Sequence, residues 1–330
     1  MDLEKHWAVI LAAGDGRRLR GLTTTPAGIS VPKQFCALDR GPSLLEEAVE
    51  RARRVAAPER ACAVVAERHE CWWALQLQGL AAQNILVQPE NRGTANGILL
   101  ALLWILRGDP LARVVLLPAD HHVHDEETLA RALREAASRA RPGWAEIVLL
   151  GIEPREVDSE LGYIVPGNGS PGHHRSVERF VEKPAPALAR ALIERGALWN
   201  AFIMAADAQA LLRLYERRYP DVVSAMRSLI AHTGQGAPSA HALAHLYAGL
   251  PELDFSRSIL QGEEPHLRVL AVPECGWSDL GTPQRVAQAL RDPQHLRPAG
   301  PAAASHAFLS LAAQHRAAES RAAEGHPAGR

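Results

Sequence analysis

Two groups of residues in this sequence have types and spacing that could serve phosphoryl chemistry, and a third is a charged pair whose use the residues alone leave open. The first is Ala13-Gly14-Asp15-Gly16-Arg17-Arg18-Leu19-Arg20-Gly21, which directly follows the apolar run Ala8 to Ala12. Glycines at Gly14 and Gly16 let a backbone approach an anion closely, and Arg18 supplies positive charge. The loop is not a Walker A, because GxxxxGK[ST] is absent. It is not a dinucleotide fingerprint either, because Leu19 stands where the third glycine belongs. A tight strand-to-helix turn would carry the same glycines, so the loop alone leaves both readings open.

The second group is a pair of distant aspartates. Asp120 closes the run Leu116-Leu117-Pro118-Ala119, and Asp279 lies in Gly276-Trp277-Ser278-Asp279-Leu280-Gly281. Ligands of open α/β sheets bind at the carboxyl ends of strands, which is where Asp120 falls. Mg²⁺ takes one or two carboxylates together with phosphate oxygens and water, so Asp120 and Asp279 are the candidate metal ligands. A helix cap at Asp120 and a turn at Asp279 satisfy the same residues. His121 and His122 are adjacent on an extended segment and point to opposite sides, so they are expected at the surface or behind the aspartate rather than as joint ligands.

The third group is Glu182-Lys183-Pro184 after the run Val177 to Val181. Read alone, Lys183 is a solvated lysine at a strand end. A polar loop, Gln88-Pro89-Glu90-Asn91-Arg92-Gly93-Thr94, precedes an apolar helix over Ala95 to Leu106, with Thr94 as its expected cap.

The elements that must position these groups follow from hydrophobic patterning. Apolar runs at Ala8 to Ala12, Ala61 to Ala66, Ile85 to Gln88, Val114 to Pro118 and Ile147 to Leu150 are continuous rather than alternating. Such runs indicate strands buried on both faces of a mainly parallel sheet. Amphipathic helices fall between them, as over Leu44 to Val55 and Glu126 to Ala140. After Gly151 the predicted strands are Tyr163 to Val165, Val177 to Val181, Leu198 to Met204 and Leu267 to Val272, followed by a helix over Pro283 to Leu290. Residues 293–330 are rich in Ala, Pro, His, Ser and Arg, and a disordered tail is expected there. No internal repeat is present.

Composition narrows the function classes. The chain has 330 residues, 47% hydrophobic and 22% charged, with a formal net charge of −1. That balance provides no basic field for nucleic acid. The four cysteines form no CxxC pair and the N-terminus lacks secretory features, so a reducing cytoplasm is expected. No apolar run approaches the roughly 20 residues that span a bilayer.

The ordered set of motifs resembles the sugar-1-phosphate nucleotidylyltransferase family over about residues 6 to 291. Leu11-Ala12-Ala13-Gly14-Asp15-Gly16-Arg17-Arg18-Leu19 with Pro32-Lys33-Gln34-Phe35 is similar to the LxGGxGxRL…PK signature, and the PKQF form resembles the mannose-1-phosphate guanylyltransferase branch. The sequence departs from that signature at Ala13, lacks the usual proline after Leu19, and has a longer stretch to Lys33. The resemblance implies an α/β, Rossmann-like nucleotide-diphospho-sugar transferase fold over residues 1–292, a mainly parallel central sheet flanked by helices. It implies transfer from a nucleoside triphosphate, GTP in that branch, to a sugar 1-phosphate such as mannose 1-phosphate, with release of pyrophosphate. Ala12, Ala13, Gly14, Gly16, Gln88, Asn91, Gly93 and Thr94 would then surround the nucleotide. Gly162 of Gly162-Tyr163-Ile164, Glu182 and Asn200 of Trp199-Asn200-Ala201-Phe202-Ile203 would surround the sugar. The family's usual glycine after that asparagine is missing here. Asp120 and Asp279 would hold Mg²⁺, and Arg18, Lys33 and Lys183 would neutralise charge during in-line attack on the α-phosphorus. Another base or sugar, or a non-catalytic nucleotide-sugar sensor, would share the same motifs. A homodimer is compatible with all of these.

Overall fold

The computed structural model describes residues 6–25, 28–38, 41–141, 147–169, 174–233 and 238–291. The expected tail, 293–330, lies outside them.

Nine strands form one sheet: β1 (His6–Ala12), β2 (Ala61–Ala66), β3 (Ile85–Gln88), β4 (Arg113–Pro118), β5 (Ile147–Ile152), β6 (Gly162–Pro166), β7 (Arg175–Glu182), β8 (Leu198–Asp207) and β9 (Leu267–Ala271). The helices, in chain order, are α1 (Arg20–Thr23), α2 (Leu44–Arg53), α3 (Glu70–Gln76), α4 (Thr94–Gly108), α5 (Glu126–Arg139), α6 (Pro186–Glu194), α7 (Ala208–Arg218), α8 (Pro220–Ala231), α9 (Ala240–Gly249) and α10 (Pro283–Arg291). Strand order across the sheet is β3-β2-β1-β4-β8-β5-β9-β7-β6.

Buried runs become strands here because both faces are covered. Val9 joins the core under α4, α7, α8 and α9, whereas its neighbour Ile10 joins the core under α2 and α5. Helix starts are locally encoded. Ser43 and Glu46 form a reciprocal capping box on α2, and Asp125 accepts from Thr128 N at 2.9 Å on α5. In α4 every residue from Ala95 to Ile105 is buried. Its long apolar run is therefore a central helix of the fold, and no helix among the described residues is long and apolar enough to cross a membrane.

The sheet is parallel in its first half, where β1 pairs with β2 and β4, and β2 with β3. The second half differs from the sequence-based picture. β8 inserts antiparallel between β4 and β5, and β6 and β7 form an antiparallel pair, leaving β5–β9 as a parallel pairing there. This mixed sheet puts two kinds of segment at one rim. The loops after β1, β3 and β4 leave the carboxyl ends of parallel strands, while β6, β7 and β8 bring Gly162, Glu182 and Asn200 into register beside them: Gly162 faces Glu182, and Tyr163 faces Trp199.

Candidate active site

The glycine-rich loop is held in place by a residue of the PKQF segment. Gln34 Nε2 donates to the carbonyls of Ala12 at 3.0 Å and Gly14 at 2.7 Å, and Asp15 pairs with Arg68. Gly16 turns with φ +61°, and a Cβ there would stand 2.7 Å from Lys33 N, so the loop can pack on the PKQF segment only with glycine at this position. Lys33 is 4% exposed. Its Nζ lies 3.0 Å from Asp120 Oδ2 and donates to the Asp279 carbonyl at 2.5 Å, joining the segments that carry the two aspartates.

Asp120 is not a helix cap, since Asp125 performs that task for α5. Burial would push its carboxyl up, but Lys33, His121 and Arg18 hold it down at about 2. Asp279 is nearly enclosed. Its Oδ1 accepts from Arg285 Nη1 at 2.6 Å and from Gly281 N at 3.0 Å. Its Oδ2 is buried without a hydrogen-bond partner, 3.7 Å from Arg18 Nη2. Burial again opposes ionisation, and Arg285, His121 and Lys33 overcome it. An orphaned carboxylate oxygen on Asp279 and a second, ionised carboxylate on Asp120 lining the same cavity fit a hard divalent cation whose remaining ligands are phosphate oxygens and water. Among the described residues no group of three or more His, Cys, Asp or Glu side chains is arranged to hold a metal ion.

Both histidines are buried rather than at the surface, and His121 Nε2 lies 3.7 Å from Asp120 Oδ1. His121 packs edge-on against Trp277 with centroids 5.3 Å apart, and burial takes its imidazole down to about 4, so it is neutral near pH 7. His122 Nδ1 lies 3.3 Å from Glu47.

At the other end of the rim, Glu182 Oε2 is buried without a hydrogen-bond partner, and Asn200 Nδ2 donates to Ser256 Oγ at 3.4 Å. Lys183 is exposed. Burial and the neighbouring Asp254 carboxylate push Glu182 up to about 7, with Lys183 opposing. The folded state therefore retains a proton that the unfolded chain releases near the ordinary 4.5, and Glu182 costs stability increasingly as pH rises from about 4.5 through 7. Glu182→Gln is expected to melt roughly 2–5 °C above the parent at pH 8, with the gap closing at pH 4.5. Thermal melts at the two pH values check the sign.

The loop after β3 is fixed from across the chain. Gln88 Nε2 donates to Tyr247 Oη at 2.9 Å, and Asn91 Oδ1 accepts from Gly93 N at 3.0 Å. Thr94 does not cap α4; its Oγ1 accepts from Phe255 N at 3.0 Å, so the hydroxyl ties the loop to the strap 251–256. Gly93 is left-handed with φ +83°, and a Cβ there would collide with the Leu253 carbonyl oxygen. Gly93→Ala is accordingly expected to cost about 2–4 kcal/mol, read by denaturant unfolding.

These segments enclose a cavity of about 290 Å³. Ala13, Gly14, Gly16, Arg18, Gln88, Asn91, Gly93 and Thr94 line it together with Asp120, Gly162, Glu182, Lys183, Asn200 and Asp279. Lys33 lines an adjoining cavity that shares Gly16, Arg18, Asn91 and Asp120 with the first. Ala12 lines neither and contributes the carbonyl that orients Gln34.

Sequence reading missed several participants. Asp254, Phe202 and Glu160 line the cavity, and Asp254 carried no motif signal. Arg285 carried no reading beyond its place in the helix expected over Pro283 to Leu290. In the structure it is buried, bridging Asp279, Asp158 (2.6 Å) and Glu156 (2.9 Å), with its guanidinium 5.2 Å over the Trp199 ring. Backbone strain marks the same region: among the described residues the non-glycine positions with positive φ are Lys183, Phe202 and Leu280, and each lines one of the two cavities.

The chain belongs to the nucleotidyl transferase family, whose model matches residues 7–294. It is 32% identical over 281 residues to the xanthan biosynthesis protein XanB of Xanthomonas campestris pv. campestris, covering 83% of this chain and 57% of that protein. It is 29% identical over 293 residues to the mannose-1-phosphate guanylyltransferase of Escherichia coli K12, covering 86% and 59%. The chain thus spans just under three fifths of these relatives' length. A solved structure described as a mannose-1-phosphate geranyltransferase from Thermus thermophilus superposes with a TM-score of 0.71 at 29% identity, covering 84% of this chain and 76% of that one.

Proposed function

We propose that residues 1–292 form a catalytic unit that transfers a nucleotidyl group from a nucleoside triphosphate, GTP, to a sugar 1-phosphate, mannose 1-phosphate, releasing pyrophosphate. The observation that carries this reading is the convergence on one cavity of the glycine loop with Arg18, the Asp120–Lys33–Asp279 cluster, and the Gly162–Glu182–Asn200 group. The names of the matched relatives favour GTP and mannose 1-phosphate among bases and sugars.

In this reading the open side of Gly14, where a Cβ would meet nothing within 4 Å, admits the triphosphate, with Arg18 beside it. Gln88, Asn91, Gly93 and Thr94 present the β3–α4 loop to the base. Lys183, exposed at the end of β7, reaches the sugar phosphate, while Glu182 and Asn200 meet hydroxyls. Mg²⁺, held by Asp120 and Asp279, supplies neutralisation of phosphate charge when bound. Both reactants already carry charge, so alignment of the sugar-phosphate oxygen with the α-phosphorus, and cations around the departing pyrophosphate, suffice without a protein nucleophile. We place the reaction in the cytoplasm, where nucleoside triphosphates are supplied. Pyrophosphate release measured across four nucleoside triphosphates and several hexose 1-phosphates tests the assignment. A maximum at GTP with mannose 1-phosphate supports it, and a maximum at another pair reassigns base or sugar.

A further inference from the structure

Phe202 occupies a backbone position that glycine fills by preference. Its φ of +55° is left-handed, a conformation in which a bulky side chain is a true outlier. It sits in a bulge of β8: Met204 faces Leu149 and Asn200 faces Gly151, so β8 carries more residues than β5 between the two pairs. Bulges re-aim side chains and gather beside active sites, and the residue that turns left-handed in one is ordinarily glycine.

Three contacts show what the strained conformation accomplishes. The Phe202 N–H donates to Asn200 Oδ1 at 3.1 Å, which fixes the amide so that Asn200 Nδ2 remains as its donor group. The ring packs edge-to-face on Phe255, with centroids 5.8 Å apart and planes at 71°, and Phe255 is completely buried. The Phe202 side chain, half-buried, lines the cavity that also holds Gly162, Glu182 and Asn200.

We propose that Phe202 determines sugar specificity: its ring is the apolar wall against which the C–H face of a pyranose rests while Glu182 and Asn200 take hydroxyls. The proposal rests on the functional reading above and names the class of sugar that this end of the cavity accepts, a neutral hexose 1-phosphate. A hexuronic acid would lose solvation of its carboxylate against the ring and meet Asp254, which lines the same cavity, and is excluded.

The test compares the parent protein with Phe202→Ala and, to retain apolar volume, Phe202→Leu. Calorimetry gives Kd for mannose 1-phosphate and glucuronic acid 1-phosphate, and steady-state kinetics gives KM for each substrate. Phe202→Ala is expected to raise Kd and KM for the hexose phosphate about tenfold or more, to leave the triphosphate KM within about twofold, and to reduce the preference for hexose over hexuronate about tenfold. Phe202→Leu should fall between. Parent turnover with an unchanged hexose-phosphate Kd in both variants overturns the role of Phe202 alone, as does a shift confined to the triphosphate. A parent protein that neither binds nor turns over any sugar 1-phosphate overturns the functional reading along with it.

Discussion

Asp279→Asn is expected to reduce kcat/KM by roughly a hundredfold or more, the size of effect that follows loss of a charged group acting on transferring phosphates. Asparagine keeps the shape of the side chain but removes the charge that faces Arg285 at 2.6 Å and the Oδ2 lone pairs left unengaged by the protein. Metal binding separates this from simple loss of fold: Mn²⁺ affinity of the variant should fall while its melt stays cooperative, at a lower temperature because a buried guanidinium loses one of its three carboxylates. Asp120→Asn should lose comparable activity with less thermal penalty, since its side chain is 39% exposed. Near-normal turnover in either variant would remove that aspartate from the site.

Lys33→Ala and Lys183→Ala should fail in different ways. Lys33 is enclosed, and its removal leaves Asp120 without its 3.0 Å partner and the Asp279 carbonyl without its donor. A cost of about 3 kcal/mol in stability is expected, together with a large fall in kcat and weaker use of the triphosphate. Lys183 is exposed, so Lys183→Ala should melt near the parent temperature. It should instead raise the KM for sugar 1-phosphate roughly ten- to a hundredfold, the worth of a charge-assisted hydrogen bond. Kinetics with each substrate varied in turn, paired with thermal melts, checks both. An unchanged sugar-phosphate KM in Lys183→Ala would detach the Glu182-Lys183 segment from the sugar.

What could be read from sequence was local. The strands β1 to β5 announced themselves because burial on both faces demands unbroken Val, Ile and Leu runs, and the glycine loop and Asp120 followed at their ends. The antiparallel half was less legible, because the insertion of β8 between β4 and β5 depends on pairing with segments far away in sequence. Thr94 was misread for the same reason: a threonine before a helix reads as a cap, yet its hydroxyl is engaged by Phe255, 161 residues further on. Arg285 and Asp254 had no local signature at all. One lies on an ordinary amphipathic helix and the other on an irregular strap, and only tertiary packing gives them partners. For His121 and His122 the sequence left two placements open, the surface or behind the aspartate, and only the packing of Trp277 and Glu47 against them excludes the surface.

The most direct measurement is ³¹P NMR of the full chain with Mg²⁺, GTP and mannose 1-phosphate. The account predicts that the α-phosphorus of GTP and the phosphorus of mannose 1-phosphate convert together into the two signals of a sugar diphosphate ester, with one pyrophosphate formed per ester. Conversion of GTP to GDP and inorganic phosphate with mannose 1-phosphate unchanged would contradict it, as would binding of both compounds with no new phosphorus signals.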